Sequence, residues 1–245
     1  MRIATRLIAL LLACAALGPL GHLGTANAVP VSCCIMPDNG TGTADHPPAC
    51  SGGYQGQTQI VNGLPVGATI DIATQLLSFA GLVQVPGGAL GGNSETWTAS
   101  MPMQLSGTGA LLGYNRNLVM PISAGTSHSA SRTPFAPTQS FATDLNSLQG
   151  QLPFGDPDFD LLRITADTNF GMASPGNTIF TQAAGGWEVD SFFDIHYRID
   201  FIGSQTGPFA GRSGSTTGTY RFEMCHSQPT TARKGTGGAI KVFYR

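Results

Sequence analysis

Apolar and polar residues alternate most clearly over residues 189–202. The apolar positions are Phe193, Ile195, Tyr197, Ile199 and Phe201, and the positions between them are Asp194, His196, Arg198 and Asp200. Because successive side chains of a strand point to opposite faces, this pattern predicts a strand with one wet face. Residues 96–106 alternate in the same way and predict a second strand. Pro102 cannot donate a hydrogen bond to a neighbouring strand, so we expect it at an edge of the sheet.

Weaker apolar patterns predict six further strands and one short helix. The strands are expected at residues 69–73, 117–122, 140–148, 159–166, 219–225 and 239–244, and the helix at residues 72–81. Turns rich in Gly, Pro and Asn separate these segments, and helical periodicity is almost absent. The pattern therefore predicts an all-β protein, an antiparallel β-sandwich or jelly roll, with one domain over residues 57–245.

The N-terminus has the three parts of an export signal. Basic Arg2 and Arg6 precede an apolar run over residues 7–17, and small residues ending at Ala28 follow it. We expect a signal peptide over residues 1–28, and therefore a secreted, extracellular or cell-surface protein. The apolar run is too short to span a bilayer of about 30 Å, so no stable membrane anchor is expected. An alternative is lipoprotein processing at Cys14.

Residues 29–56 form a Gly- and Pro-rich segment that we expect to be an irregular loop held by cysteines. Export would remove Cys14. The cysteines that remain are Cys33, Cys34, Cys50 and Cys225. An even number in an exported chain indicates disulfides, and a bridge between the adjacent pair would strain the peptide bond joining them. We favour one of that pair bonded to Cys50 and the other to Cys225. A zinc or copper site made by Cys33, Cys34, Cys50 and His46 is the alternative.

The composition limits the partners that the chain can have. Its formal net charge is −2 and only 11% of its residues are charged, so it lacks the basic surface that concentrates nucleic acid. We therefore expect no nucleic-acid partner. The hydrophobic fraction of 41% is normal for a folded protein. The sequence indicates no particular oligomeric state.

Three aspartates alternate in the segment 155–160. Asp156, Asp158 and Asp160 supply the oxygen ligands that calcium prefers, and this is the first candidate for a calcium site. The loop glycine and the distal glutamate of a calcium-binding hand are absent, and Pro157 stiffens the segment. A turn that leads into a strand is the alternative. No other cofactor is indicated.

The segment around the strongest predicted strand also carries the most site-like polar residues. Trp187 beside Glu188 would suit a sugar, because it places an aromatic platform next to a carboxylate. Asp194 and His196 share the predicted wet face and, with Asp200, could bind a divalent metal. We therefore name Trp187, Glu188, Asp194 and His196 as a candidate ligand face. The alternative is an ordinary solvent face with ion pairs between strands.

No catalytic signature stands out in the chain. A Gly-x-Ser-x-Gly motif is absent, and Ser127 and Ser129 flank His128 without an orienting acid nearby in sequence. The leading hypothesis is therefore a secreted, non-catalytic structural or binding protein with a glycan or an extracellular protein as partner. The alternatives are a carbohydrate-active enzyme that uses Glu188 with Asp194, and a sugar-binding module.

Residues 187–195 read Trp-Glu-Val-Asp-Ser-Phe-Phe-Asp-Ile. This segment resembles a strand in exported bacterial proteins of unknown function, common among planctomycetes and often carrying a PEP-CTERM sorting tail. The similarity extends upstream through residues 141–145 and 161–186. The resemblance implies export and a β fold, and it implies no catalytic residue. We expect this chain to differ from them in having no sorting tail, and it has additional cysteines.

Overall fold

The computed structural model describes residues 34–129, 132–172 and 174–224. These residues form ten strands, which are β1 (Ile35–Met36), β2 (Tyr54–Ile60), β3 (Ile70–Pro86), β4 (Gly91–Gly107), β5 (Asn115–Ser129), β6 (Thr138–Gln151), β7 (Phe159–Asp167), β8 (Pro175–Ala183), β9 (Gly186–Gly203) and β10 (Ser213–Met224). Two short 3₁₀ turns lie at Gly109–Leu111 and Thr168–Phe170. Within the described ranges, no helix is long and apolar enough to cross a membrane.

All ten strands belong to one antiparallel sheet that closes on itself. The order β9-β10-β2-β3-β4-β5-β6 runs without interruption, and β7 and β8 then both connect β6 back to β9. β8 pairs with the first half of β9, from Gly186 to Phe193, and β7 pairs with its last part, from Arg198 to Gly203. The length of β9 lets one strand receive two shorter partners on the same side.

The all-β, antiparallel class predicted from the alternation is confirmed. The finer expectation of a sandwich or jelly roll is not confirmed, because the pairings join all ten strands in a single closed sheet rather than two packed ones. The strongest predicted strand is β9, and the second is β4. The predicted strand at residues 239–244 lies outside the described residues.

Two local predictions are wrong. Residues 72–81, expected to be a short helix, belong to β3. Pro102 lies in β4, between β3 and β5, and not at an edge. It pairs with Val119 of β5, but the ladder with β3 is interrupted between the pairs Thr74 with Met103 and Leu77 with Ser100. A residue without an N–H is tolerated there because the described ladder assigns it no partner on β3.

The enclosed side of the sheet is filled by apolar side chains. The largest fully buried aromatic residues are Trp187, Tyr54, Phe159, Phe180, Phe201, Phe209 and Phe222. Phe209, in the loop between β9 and β10, stacks on Phe159 with ring centroids 5.1 Å apart and covers one end of the core. A side chain at Gly203 would clash with the carbonyl oxygen of Phe209, so this close approach requires a glycine.

The N-terminal segment covers the other end of the core. A disulfide joins Cys34 to Cys50, and β1 pairs with the start of β9. The expected bond between Cys50 and one of the adjacent cysteines is confirmed. Since Cys34 and Cys50 are oxidised, they are not the thiolate ligands that the alternative zinc or copper site requires. Cys33 and Cys225 lie outside the described residues.

Candidate functional site

A long cleft crosses the solvent-exposed face of the sheet. Its volume is about 1530 Å³, and residues of β3, β4, β5, β6, β7, β9 and β10 line it, together with the turn that follows β7. The sheet presents alternate side chains to opposite faces, and polar residues from the outer face of these strands line the cleft. A site of this size on an exposed surface admits a large ligand.

A continuous row of polar side chains runs across the cleft. Thr98 pairs with Ser123, Ser123 with Gln149, Gln149 with Thr165, Thr165 with Arg198, and Arg198 with Thr217. We call these six residues the polar row, and all six line the cleft. Neighbouring strands lie about 4.8 Å apart, so the five steps of the row follow the surface of the sheet for about 24 Å. The row therefore matches an extended chain better than a single small molecule.

The hydroxyl and amide groups of the row are largely available to a ligand. Among the described residues, the side chains of Ser123, Gln149, Thr165 and Thr217 form no hydrogen bond with one another or with other protein groups, whereas Thr98 donates to the carbonyl oxygen of Ala80. Hydroxyl and carboxamide groups both donate and accept, so the row offers hydrogen-bonding partners of both kinds along its length.

An Arg-Asp-Arg cluster adjoins the polar row near its Thr217 end. Arg163 donates through Nη2 to Asp200 Oδ2 at 2.9 Å, and Arg198 donates through Nε to Asp200 Oδ1 at 2.8 Å. Burial alone would raise the pKa of Asp200, but hydrogen bonds from Arg163, Arg198 and Ser215 outweigh it and hold the pKa below its ordinary value. Asp200 is thus an ionised acceptor that orients both guanidinium groups.

An exposed aromatic ring stands beside the polar row. Phe170 ends the 3₁₀ turn Thr168–Phe170, and it is 69% exposed although it lines the cleft. The side chain of Asp167 caps the turn by accepting from the backbone N–H of Asn169 at 2.7 Å, and Gly171 leaves it with a φ of 73°. The capped turn therefore holds the apolar ring of Phe170 beside the polar side chains of the cleft.

A second polar cluster is buried inside the closed sheet. Glu95 lies on the inner face of β4, with no exposed side-chain surface. Its Oε2 is 3.3 Å from Nδ1 of His46, and its Oε1 is 3.2 Å from Nε2 of His128. Thr126 donates its hydroxyl to Oε2 at 2.9 Å, and Trp97 donates its indole N–H to Thr126 at 3.2 Å. We call Glu95, His46 and His128 the buried triad.

The charge of Glu95 is stabilised by its surroundings. Burial raises the pKa of this carboxyl, but contacts with His128, His46 and Thr126 outweigh burial and lower the pKa to about 2. Burial lowers the pKa of His46, and the charge of Glu95 only partly opposes that effect. Burial also lowers the pKa of the Arg132 guanidinium, which the negative charge of Glu95 helps to balance. The carboxylate is therefore ionised inside the protein.

The buried triad attaches the N-terminal segment to the sheet. His46 belongs to that segment, whereas Glu95 and His128 belong to β4 and β5. Arg132 reinforces the attachment, because its Nη1 donates to the carbonyl oxygen of Ala44 at 2.6 Å and to the hydroxyl of Thr43 at 3.0 Å. No surface of Glu95 or His46 is open to solvent, so a polymeric substrate has no access to them.

The structure places Trp187 on the inner face of β9 and the other three residues of the predicted ligand face on its outer face. Trp187 is buried and donates its indole N–H to Asp38 at 3.0 Å, whereas the next residue, Glu188, is exposed on the opposite face of β9. Asp194 accepts two hydrogen bonds from Arg221, both at 2.7 Å. His196 is exposed, and its Nδ1 lies 3.4 Å from the hydroxyl of Thr219. None of the four is among the described residues that line the cleft.

Two of the three aspartates of the predicted calcium site bind an arginine. Arg116 donates through Nη2 to Asp156 at 2.8 Å and through Nη1 to Asp158, and the hydroxyl of Tyr114 donates to Asp158 at 3.0 Å. Asp160 is exposed. Asp156 also accepts the backbone N–H of Asp158 at 2.9 Å, which is the hydrogen bond of a turn. Among the described residues, no group of three His, Cys, Asp or Glu side chains could hold a metal ion.

The polar row and the buried triad both contain residues that the sequence analysis did not bring together. Glu95 has the same parity along β4 as Trp97, Ala99 and Met101, so the alternation itself places it on the apolar face. A carboxylate on such a face needs buried partners, and that signal could have identified it. The polar row had no comparable signal in the sequence. Its members are ordinary solvent-face residues, and only the pairing of the strands shows that they lie side by side.

Comparisons with known protein families, with curated proteins and with solved structures find no match to this chain. The resemblance of residues 187–195 to exported bacterial proteins stays a prediction. The function of this protein is therefore inferred from the geometry of the polar row and the buried triad.

Proposed function

We propose that this protein is a non-catalytic binding protein that acts outside the cytoplasm and holds an extended glycan in the cleft. The observation that carries the proposal is the polar row, which crosses six neighbouring strands within one accessible cleft. A sugar chain presents hydroxyl groups along its length, and the row presents hydroxyl, amide and guanidinium groups at regular steps. A ligand of that kind would form many individually weak hydrogen bonds.

The apolar residues of the cleft support a sugar rather than a fully polar ligand. Sugar rings have apolar faces as well as hydroxyl edges, and binding sites commonly combine aromatic surface with a few polar groups. Phe170 and Val119 line the cleft with 69% and 59% of their surface exposed. Exposed apolar surface beside a polar row is the combination that such a ligand requires.

The same cleft argues against glycoside hydrolysis. Hydrolysis of a glycosidic bond ordinarily uses two carboxyl groups, one of which must be protonated to act as an acid. Asp200 is the one carboxylate among the described lining residues, and Arg163 and Arg198 keep it ionised. The buried triad contains both a carboxylate and imidazoles, but the side chains of Glu95 and His46 have no exposed surface and that of His128 is only 5% exposed. Binding without cleavage is therefore the function that this chemistry favours.

The disulfide between Cys34 and Cys50 supports the location that we propose. Structural disulfides form and persist mainly in oxidising compartments such as the cell exterior. The N-terminal sequence, with its basic residues and apolar run, points in the same direction.

Glycan binding can be tested with a matched pair of phenylalanine variants. Isothermal titration of the purified protein against a panel of soluble polysaccharides should detect binding, and product analysis should detect no cleavage. We expect Phe170→Ala to weaken binding by roughly fivefold to tenfold, because it removes the exposed ring from the cleft. Phe154→Ala is the control, since Phe154 is 88% exposed and is not among the described residues that line the cleft.

Two results would contradict the proposal. Equal loss of affinity in both phenylalanine variants would place the ligand elsewhere or indicate a nonspecific effect. Release of reducing sugar from any polysaccharide by the pure protein would replace the binding function with an enzymatic one.

A further inference from the structure

The charged residues of the cleft are unbalanced. Arg163 and Arg198 contribute two positive charges and Asp200 contributes one negative charge, so the described lining residues carry a net positive charge. The whole chain has a formal net charge of −2. The positive character of the cleft is therefore local and does not reflect the protein as a whole.

Both arginines retain donors that are not used within the protein. A guanidinium group has five N–H donors, and each arginine uses one donor nitrogen on Asp200, Nη2 of Arg163 and Nε of Arg198. The side chains are 46% and 52% exposed, so solvent reaches the remaining nitrogens. Arg198 has both terminal nitrogens available, and two parallel N–H groups match the two oxygens of an anion.

Asp200 makes the two guanidinium groups a prepared site rather than two mobile surface charges. Its side chain is only 12% exposed, and its two oxygens hold Arg163 and Arg198 separately. Because the guanidinium groups are already oriented, the two arginine side chains lose less conformational entropy when a ligand binds. The pair also adjoins the polar row, since Arg198 is itself a member of it and Arg163 lies two residues before its member Thr165.

We infer that the glycan bound in the cleft is anionic, with carboxylate or sulfate groups that contact Arg163 and Arg198. This inference rests on the proposed function and specifies the chemical class of its ligand. The hydroxyl and amide groups of the polar row bind the sugar units on either side of the charged group. Carboxylate and sulfate groups both present paired oxygens, which a guanidinium group binds with two parallel hydrogen bonds.

The test compares polymers that differ in charge alone. Polygalacturonate is measured against its methyl-esterified form, and dextran sulfate against dextran, by isothermal titration with the intact, disulfide-bonded protein. We expect the anionic member of at least one pair to bind roughly tenfold more tightly. The pair that shows the difference distinguishes carboxylate from sulfate. The preference should weaken between about 0.1 M and about 1 M NaCl, because the screening length falls from about 10 Å to about 3 Å.

Arginine variants locate the effect in the cleft. Arg198→Gln should lose most of the preference for the anionic polymer, so that the charged and the neutral member of the pair bind with similar affinity. Arg221→Gln is the matched control, since Arg221 is 47% exposed and paired with Asp194 on the same face but is not among the described lining residues. Circular dichroism and thermal melting establish that both variants are folded.

The outcomes separate this inference from the proposed function. Equal affinity for charged and neutral polymers, with the loss in Phe170→Ala retained, would overturn the anionic class and leave glycan binding in place. An anionic preference that Arg198→Gln does not reduce would also overturn the inference. If no polysaccharide binds at all, the proposed function fails as well.

Discussion

Replacing Glu95 with glutamine is expected to destabilise the protein by about 2 to 3 kcal/mol. The pKa of Glu95 is lowered to about 2 from an ordinary value of 4.5. A difference of about 2.5 pH units, at about 1.4 kcal/mol for each unit, favours the ionised carboxylate by about 3 to 4 kcal/mol. Glutamine keeps an oxygen that accepts from Thr126 but loses the charge facing His46, His128 and Arg132. The expected loss is therefore somewhat smaller than that upper value.

Urea unfolding at neutral pH, followed by tryptophan fluorescence, measures this loss. With a denaturant slope of about 2 kcal/mol per M, the unfolding midpoint of Glu95→Gln should fall by about 1 to 1.5 M. Glu188→Gln is the matched control, because Glu188 is exposed on the outer face of β9. We expect that variant to remain within about 0.5 kcal/mol of the wild type. If the two variants unfold at the same urea concentration, the buried triad does not stabilise the fold as argued.

Three further predictions concern the attachment of the N-terminal segment and the aspartate turn. Burial holds the pKa of His46 below its ordinary value of 6.5, so the unfolded chain binds a proton more readily than the folded chain does. Stability should therefore be full above about pH 6.5 and decrease below it, and a flat urea-unfolding profile down to about pH 5 would contradict this. Replacing both Cys34 and Cys50 with alanine should lower the free energy of unfolding by about 3 kcal/mol in the same assay, since the disulfide closes a loop with a sequence separation of 16. Unchanged stability would contradict this prediction. Arg116→Gln should lower stability by about 1 kcal/mol, because it removes the partner of Asp156 and Asp158. Added calcium should leave the melting temperature of the wild type unchanged, and a calcium-dependent rise would show that the aspartates prefer the metal.

The predicted strands show how much of the secondary structure can be predicted from the local pattern of apolar and polar residues. Alternation over residues 189–202 is strong because every apolar side chain that alternates there enters the core, and the observed strand β9 extends it by only a few residues. The same reasoning failed at residues 72–81, where a run of Ala, Leu, Ser and Phe lacks strict alternation. There the pairing of β3 with β4 decides the conformation, and two register shifts between Leu77 and Val83 disturb the period that the prediction relied on.

The candidate sites depended on information that the local pattern does not contain. Trp187 and Glu188 are neighbours in sequence, but adjacent residues of a strand face opposite sides, so they do not form one site. His46 and Glu95 are separated by 49 positions, and only the fold brings them to 3.3 Å. His128 lies in β5 with its ring against Phe141, although the Ser- and Thr-rich sequence around it is typical of a polar loop.

For β4 and β9, the sequence by itself determined which residues face the core and which face solvent, because the side-chain period of two is a local property of an extended chain. It also indicated the antiparallel β class and a disulfide to Cys50. Only the tertiary structure decided that the sheet closes on itself and that Thr98 and Thr217 stand at opposite ends of one polar row. The physical reason is that strand register is set by contacts distant in sequence. Alternation specifies the face on which a residue lies but leaves open which residue pairs with it across the sheet.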